Sequence, residues 1–126
     1  MFDNLKGIAG LAGVMKDLPR LKQKMEEVKR RLGEIVVEAE TGGGAVRVKA
    51  TAQLRVISID IDDVLMTSLV DSGNPDDRAM AEDLMTGAVN AALEKAREAA
   101  EHEMAEAARE FGLPVPSEGL GGLLGM

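Results

Sequence analysis

The fold is decided by residues 34–62, EIVVEAETGGGAVRVKATAQLRVISIDID, in which apolar and polar side chains alternate. The alternation occupies three short runs, over residues 34–40, 46–51 and 56–62, although Val36 breaks the polar series of the first. A period of two is typical of strands that bury one face. Three glycines after Thr41 favour a tight hairpin, and Ala52-Gln53 leaves room only for a second short turn. The stretch therefore predicts an antiparallel three-stranded meander whose apolar face must be covered by helices.

A helix is predicted before these strands. Its apolar positions are spaced alternately by three and four, at Leu11, Val14, Leu18, Leu21, Met25, Val28, Leu32 and Ile35. This heptad pattern predicts a narrow apolar stripe that faces another helix. Pro19 lies inside the pattern, so either the helix bends there or a new helix begins with Pro19 in its first turn. Gly33 is predicted to end the helix.

A longer helix is predicted after the strands, with one or two helical turns over residues 62–70 between them. Asn74-Pro75 provides an N-cap and a first-turn proline, and Gly112 with Pro114 provides the stop. As one helix, the intervening segment extends about 55 Å, which is more than a chain of 126 residues is expected to cover. Its apolar side comprises Met80, Leu84, Ala88, Ala91, Ala92 and further alanines. We therefore expect this helix to associate with a second copy.

The predicted fold is thus α+β and dimeric, with an N-terminal helix, the antiparallel meander and a long C-terminal helix in the order α-β-β-β-α. Residues 1–112 are predicted to form a single domain. Residues 113–126, which are rich in glycine and proline, are predicted to be a flexible tail.

The charge is distributed unevenly along the chain. The whole chain has 15 basic and 22 acidic side chains and a net charge of −7, which at face value argues against nucleic acid as a partner. However, residues 1–33 contain eight basic and four acidic side chains, whereas residues 61–126 contain four and 14. Phosphate contacts need only local cations, and acids elsewhere are screened beyond about 8–10 Å. The overall acidity therefore does not exclude DNA.

Several classes of function are disfavoured. The absence of cysteine excludes disulfides and thiolate chemistry and is compatible with the cytoplasm. No segment has the roughly 20 apolar residues of a membrane span, and no export signal is recognisable. His102 lacks metal co-ligands, and Asp60, Asp62 and Asp63 lack the spacing of a calcium loop. We expect no enzyme, no metal, no cofactor and no small-molecule substrate.

The candidate functional residues are basic. They are Lys22, Lys24, Lys29, Arg30 and Arg31 on or beside the first helix, and Arg47, Lys49 and Arg55 on the polar side or edge of the sheet. They are either an ordinary solvated surface or the phosphate-binding surface of a protein that contacts duplex DNA. The chain has only two aromatic residues, Phe2 and Phe111, and neither lies near these cations in the sequence, which disfavours readers of single strands and RNA loops.

The order of these elements resembles the YbaB/EbfC family of bacterial nucleoid-associated proteins. The resemblance rests on Met1-Phe2 and the glycines that follow, LKQKMEE at 21–27, GGAVRV at 43–48, VISID at 56–60 and EDLMTGAVNAA at 82–92. It implies a cytoplasmic, nucleoid-associated homodimer that binds duplex DNA with low sequence specificity. The cations that match the family's basic positions are Lys22, Lys24 and Arg47, and then Lys29 to Arg31. The alternative is a non-enzymatic dimeric scaffold whose heptad helix recruits a protein partner.

Overall fold

The computed structural model describes residues 2–70, 73–110 and 112, with side chains described from Leu18 onward. The elements are α1 (Phe2–Glu34), β1 (Val36–Thr41), β2 (Val46–Thr51), β3 (Arg55–Ile61), α2 (Asp63–Val70) and α3 (Pro75–Glu110). This order confirms the predicted α+β arrangement, with α2 as the short helix expected between β3 and α3. The predicted tail at 113–126 lies outside the described residues.

Helix α1 is one helix that contains Pro19 and ends one residue after Gly33. Proline cannot donate a backbone hydrogen bond, so the helix continues past this position with one bond fewer. Of the two possibilities left by the sequence, a new helix beginning at Pro19 is therefore not observed.

The three strands form an antiparallel sheet in the order β1-β2-β3. All three glycines of the β1–β2 connection have positive φ, which explains why glycine is used in this turn. The β2–β3 connection is a three-residue turn in which Leu54 also has positive φ, at 64°. A β-bulge between Lys49 and Ala50 shifts the register between β2 and β3. The predicted meander is confirmed, and the bulge is a feature that the alternation did not reveal.

Helix α3 begins and ends where the local sequence predicts. The Asn74 side chain accepts a 2.9 Å hydrogen bond from the backbone N–H of Asp76, and Gly112, with φ of 69°, follows the last turn. At the start of α2, the carboxylate of Asp62 accepts a 2.7 Å bond from the N–H of Leu65. Asp62 therefore caps the first turn of α2.

The alanine side of α3 is covered by the chain itself. Its members are almost completely buried: Ala81, Ala88, Ala92, Ala96 and Ala100. Most of them belong to the same core cluster as Val46 and Val48 of β2. The expectation that one chain leaves this side uncovered is wrong, because the sheet covers the first part of α3 and α1 contacts the rest. Met80, which was expected on the buried side, is 56% exposed.

The apolar face of the sheet is covered unevenly. Helix α3 packs mainly against β1 and β2, and it contacts β3 much less. Ile59 pairs with the buried Val48, yet 43% of Ile59 is exposed, and Ile57 at the bulge is 53% exposed. Edge strand β3 therefore presents apolar side chains beside α3, and exposed Val64 and Val70 of α2 add to the uncovered apolar surface of the chain.

Candidate nucleic-acid interface

The second half of α1 pairs with the end of α3 through two ion pairs. Lys24 pairs with Glu110, and Nη1 of Arg31 lies 3.8 Å from a carboxylate oxygen of Glu103. Seven residues separate the two cations on α1, and seven separate the two acids on α3, in the opposite direction. The helices are therefore antiparallel and in contact over one heptad, which is two helical turns, the arrangement that a heptad pattern favours.

Helix α3 covers only one side of the heptad stripe of α1. Val28 is 5% exposed, whereas Leu18 is 47% and Met25 is 56% exposed. Glu27 lies 3.8 Å from Lys24 and 3.9 Å from Arg31, so it reinforces the acidic surroundings of both cations. Two of the five predicted cations on α1 are thus partly neutralised by carboxylates of the same chain.

The ion pair at the end of α3 keeps its carboxylate charged. The hydrogen bond from the Lys24 ammonium, followed by its charge, lowers the pKa of Glu110 from its ordinary value. At neutral pH the Glu110 side chain is therefore an anion directly beside a cation of α1.

The remaining cations of α1 are open to solvent. Lys22, Lys29 and Arg30 are exposed, and none of them forms an ion pair within the described part of the chain. Residues separated by seven or eight positions in a helix lie close to the same face, two turns apart. These three side chains, which we call the outer cations, therefore share one side of α1.

A hydrogen bond holds this part of α1 against the sheet. The side-chain amide of Gln53 donates a 2.8 Å bond to the backbone carbonyl of Lys29, and the N–H of Ala52 donates a 3.0 Å bond to the carbonyl of Ile35. Gly33 makes room for this contact, because a Cβ there would lie 2.8 Å from the Gln53 nitrogen. The β2–β3 turn thus fixes the helix that carries the outer cations.

The polar face of the sheet mixes both signs of charge. Across the strands, Lys49 lies between Glu38 and Ser58, and Arg47 lies between Glu40 and Asp60. The Arg47 guanidinium is 3.4 Å from the Glu40 carboxylate. With three acids around two bases, this face is not a net cation surface. Arg55, at the start of β3, is exposed and has no ion pair with any described residue.

The other polar residues do not assemble a catalytic or metal site in the described ranges. His102 is exposed, and no three described His, Asp or Glu side chains are arranged to hold a metal ion. None of the helices within residues 2–70 and 73–110 is long and apolar enough to cross a membrane.

Sequence reasoning missed three residues that shape this surface, namely Gln53, Glu103 and Glu110. The equal spacing of seven between the two acids and between Lys24 and Arg31 was the available signal for the ion pairs. No sequence signal marked Gln53, because its role depends on a turn and a helix that meet only in the folded chain.

The fold is that of a small α+β protein in which a basic helix packs along an acidic helix, beside a three-stranded meander. Exposed cations lie on one side of the basic helix. Residues 7–111 match the model of the YbaB/EbfC DNA-binding family. The chain belongs to this family. The assignment favours DNA over the alternative of a protein scaffold.

Similar proteins agree with the family match. The chain is 40% identical over 101 residues to a nucleoid-associated protein of Anaeromyxobacter dehalogenans strain 2CP-C, covering 80% of this chain and 91% of that one. It is 36% identical over 114 residues to a nucleoid-associated protein of Afipia carboxidovorans, covering 90% and 100%. Among solved structures, the uncharacterized protein HP0035 from Helicobacter pylori has a TM-score of 0.50 at 18% identity, covering 64% and 86%. This last similarity shows the fold alone.

Proposed function

We propose that this chain is a homodimeric nucleoid-associated protein that binds duplex DNA mainly through phosphate contacts and with low sequence specificity. The observation that carries the proposal is the set of outer cations Lys22, Lys29 and Arg30, which are exposed and have no ion pair with any described residue, on one helix of a DNA-binding family. Lysine and arginine are the main donors to DNA phosphates, and such contacts carry little sequence information. Nucleoid-associated relatives support a location on the nucleoid and a role in its organisation or in gene regulation.

The eight predicted cations are not equivalent in this proposal. The outer cations and Arg55 have no carboxylate partner among the described residues, and Lys49 is exposed on the sheet between Glu38 and Ser58. Lys24, Arg31 and Arg47 each face a carboxylate of the same chain, so phosphates must compete for them. We expect no enzymatic activity, because the family is one of DNA-binding proteins and the proposed surface is a set of cations.

The dimer is supported by the uncovered apolar surface of β3 and α2. Ile57 and Ile59 are about half exposed on an edge strand, whose unpaired backbone groups also favour association. Val64, Met66 and Val70 of α2 are exposed as well. A second copy seated on this surface would remove these side chains from water, at about 25 cal/mol for each Å² of apolar area. Two copies would also present two sets of outer cations to one duplex.

Fluorescence anisotropy with two labelled duplexes of unrelated sequence tests the function. We expect the full chain to bind both duplexes with similar affinity at low salt. Replacing Lys22 and Lys29 by alanine should weaken binding to both duplexes to the same extent, because phosphate contacts are independent of sequence. The matched control replaces Arg78 and Arg109, which pair with Glu82 and Glu106 on their own helix. It removes the same charge and should change affinity less.

Three results would contradict the proposal. They are no binding to either duplex at low salt, strong discrimination between the two sequences, or equal weakening by the α1 variant and its α3 control. Circular dichroism of each variant establishes that the secondary structure is retained.

A further inference from the structure

The acids at the end of α3 occupy cations that lie on the same helix as the proposed DNA-binding surface. We propose that Glu103 and Glu110 act as internal counter-ions of Lys24 and Arg31, and that they determine the affinity and salt dependence of DNA binding by competing with phosphates. The inference rests on the proposed function and assigns to two carboxylates a role that the family membership does not supply. It predicts that Lys24 and Arg31 bind DNA phosphates only when Glu110 and Glu103 are displaced from them.

Both acid–base pairs join α1 to α3. The two cations are seven positions apart on α1, and the two acids are seven positions apart on α3 in the opposite direction. By contrast, the other acid–base pairs of α3 join residues three or four apart on that helix itself, as Glu106 and Arg109 do. Glu103 and Glu110 therefore stand out among the acids of α3 in the structure described, because they neutralise cations of α1.

Carboxylates and DNA phosphates compete for the same donors, because both accept charge-assisted hydrogen bonds from lysine and arginine. Glu110 is ionised at neutral pH, since Lys24 lowers its pKa, and its side chain is about half exposed. An ion pair that stays partly open to water contributes little to stability. A DNA phosphate that reaches Lys24 or Arg31 can therefore displace these carboxylates at small cost.

Removing these two carboxylates should therefore change DNA affinity in the opposite direction from removing an acid that only positions the helix. If the carboxylates compete with DNA, removing their charge makes Lys24 and Arg31 available and strengthens binding. The number of phosphates neutralised also rises, and the slope of log K against log salt becomes steeper by about 0.9 for each additional phosphate. If the carboxylates only position α1, removing them weakens binding.

Glutamine substitutions in the full chain test the inference by duplex anisotropy across a salt series. Glu103→Gln and Glu110→Gln are each expected to raise affinity at low salt by about two- to fivefold, the range of one exposed ion pair. Glu106→Gln is the matched control, because it removes the same charge from the same turns of α3 and releases Arg109 instead of a cation of α1. We expect it to raise affinity less and to leave the slope unchanged.

A double-mutant cycle shows whether Glu110 acts through Lys24. The gain from Glu110→Gln is expected to disappear when Lys24 is already alanine, because no cation is left to release. The same substitution paired with Lys22→Ala should keep its gain, since Lys22 has no ion pair with a described residue.

The outcomes separate this inference from the function on which it rests. Weaker binding by Glu103→Gln and Glu110→Gln, or gains no larger than that of Glu106→Gln, would overturn the counter-ion role while leaving DNA binding intact. A gain from Glu110→Gln that persists without Lys24 would overturn it as well. Failure of the wild-type chain and all variants to bind duplex at low salt would overturn both.

Discussion

The side-chain amide of Gln53 donates a 2.8 Å hydrogen bond to the backbone carbonyl of Lys29. This bond joins the β2–β3 turn to α1 at a residue that also belongs to the outer cations. The position of the basic helix is therefore fixed to the sheet through the backbone of Lys29, whose ammonium group has no ion pair in the described part of the chain.

Replacing Gln53 tests this connection. We expect Gln53→Ala to lower the free energy of unfolding by about 0.5–1.5 kcal/mol, the contribution of one hydrogen bond, as measured by urea denaturation. Gln53→Glu should have a similar effect, since a carboxylate cannot donate to a carbonyl. The control is Gln23→Ala. Gln23 is exposed, as Gln53 is, but it lies on α1, and its substitution should change the free energy of unfolding little. Wild-type stability in Gln53→Glu would contradict the role of the bond.

Gly33→Ala and Gly87→Ala should change the stability of the protein differently, because only Gly33 lies against the Gln53 side chain. Gly87→Ala in α3 places its Cβ 3.6 Å from Thr41, an ordinary contact, so it should stabilise the protein by about 0.5–1 kcal/mol. In Gly33→Ala the new Cβ meets the Gln53 side chain at 2.8 Å, which displaces the hydrogen bond and offsets the helical gain. Thermal or urea unfolding measures both. Equal stabilisation by the two substitutions would show that the Gln53 contact contributes nothing.

The proposed dimer interface is tested by a charge on β3. The wild-type chain is expected to sediment at twice its 13.3 kDa mass, and Ile57→Lys should shift it to the monomer, because a buried unpaired ammonium is costly. Met25→Lys is the control, since Met25 on α1 is equally exposed and lies outside the proposed interface. A wild-type monomer at micromolar concentration would refute the dimer. A dimer that survives Ile57→Lys would place the interface elsewhere.

The ion pair between Lys24 and Glu110 also predicts a pH dependence of stability. The pKa of Glu110 is lowered in the folded chain, so its contribution is present above the ordinary value of 4.5 and is lost as pH falls through the folded value. We expect the stability of Glu110→Gln to fall less steeply than that of wild type below pH 4.5. Parallel curves across this range would indicate that the pair does not form in solution. The effect is small because both groups are partly exposed.

Much of the fold could be predicted from local chemistry. The alternation of residues 35–62 predicted the strands, and Asn74 and Gly112 predicted the ends of α3, because caps act over three or four residues. The bulge at Lys49 was not predictable, since it depends on the pairing of two strands. The small side chains of α3 predict close helix packing but do not tell which surface they pack against, and in the structure that surface belongs to the same chain.

The candidate surface was predictable only in part. The excess of cations in residues 1–33 pointed to α1, but net charge along the sequence does not show which cations are neutralised in space. Glu103 and Glu110 are distant from Lys24 and Arg31 in the chain and adjacent to them in the fold. Likewise, the sequence does not show that strand pairing places Glu38 beside Lys49, and Glu40 and Asp60 beside Arg47.

The central claim is that the outer cations bind DNA phosphates, and the salt dependence of duplex binding measures it most directly. Log K for the wild-type chain should fall linearly with log salt. The variant with alanine at Lys22, Lys29 and Arg30 should show a slope that is shallower by about 0.9 for each phosphate that the protein no longer neutralises. A wild-type affinity that does not change with salt, or an unchanged slope in the triple variant, would contradict the claim.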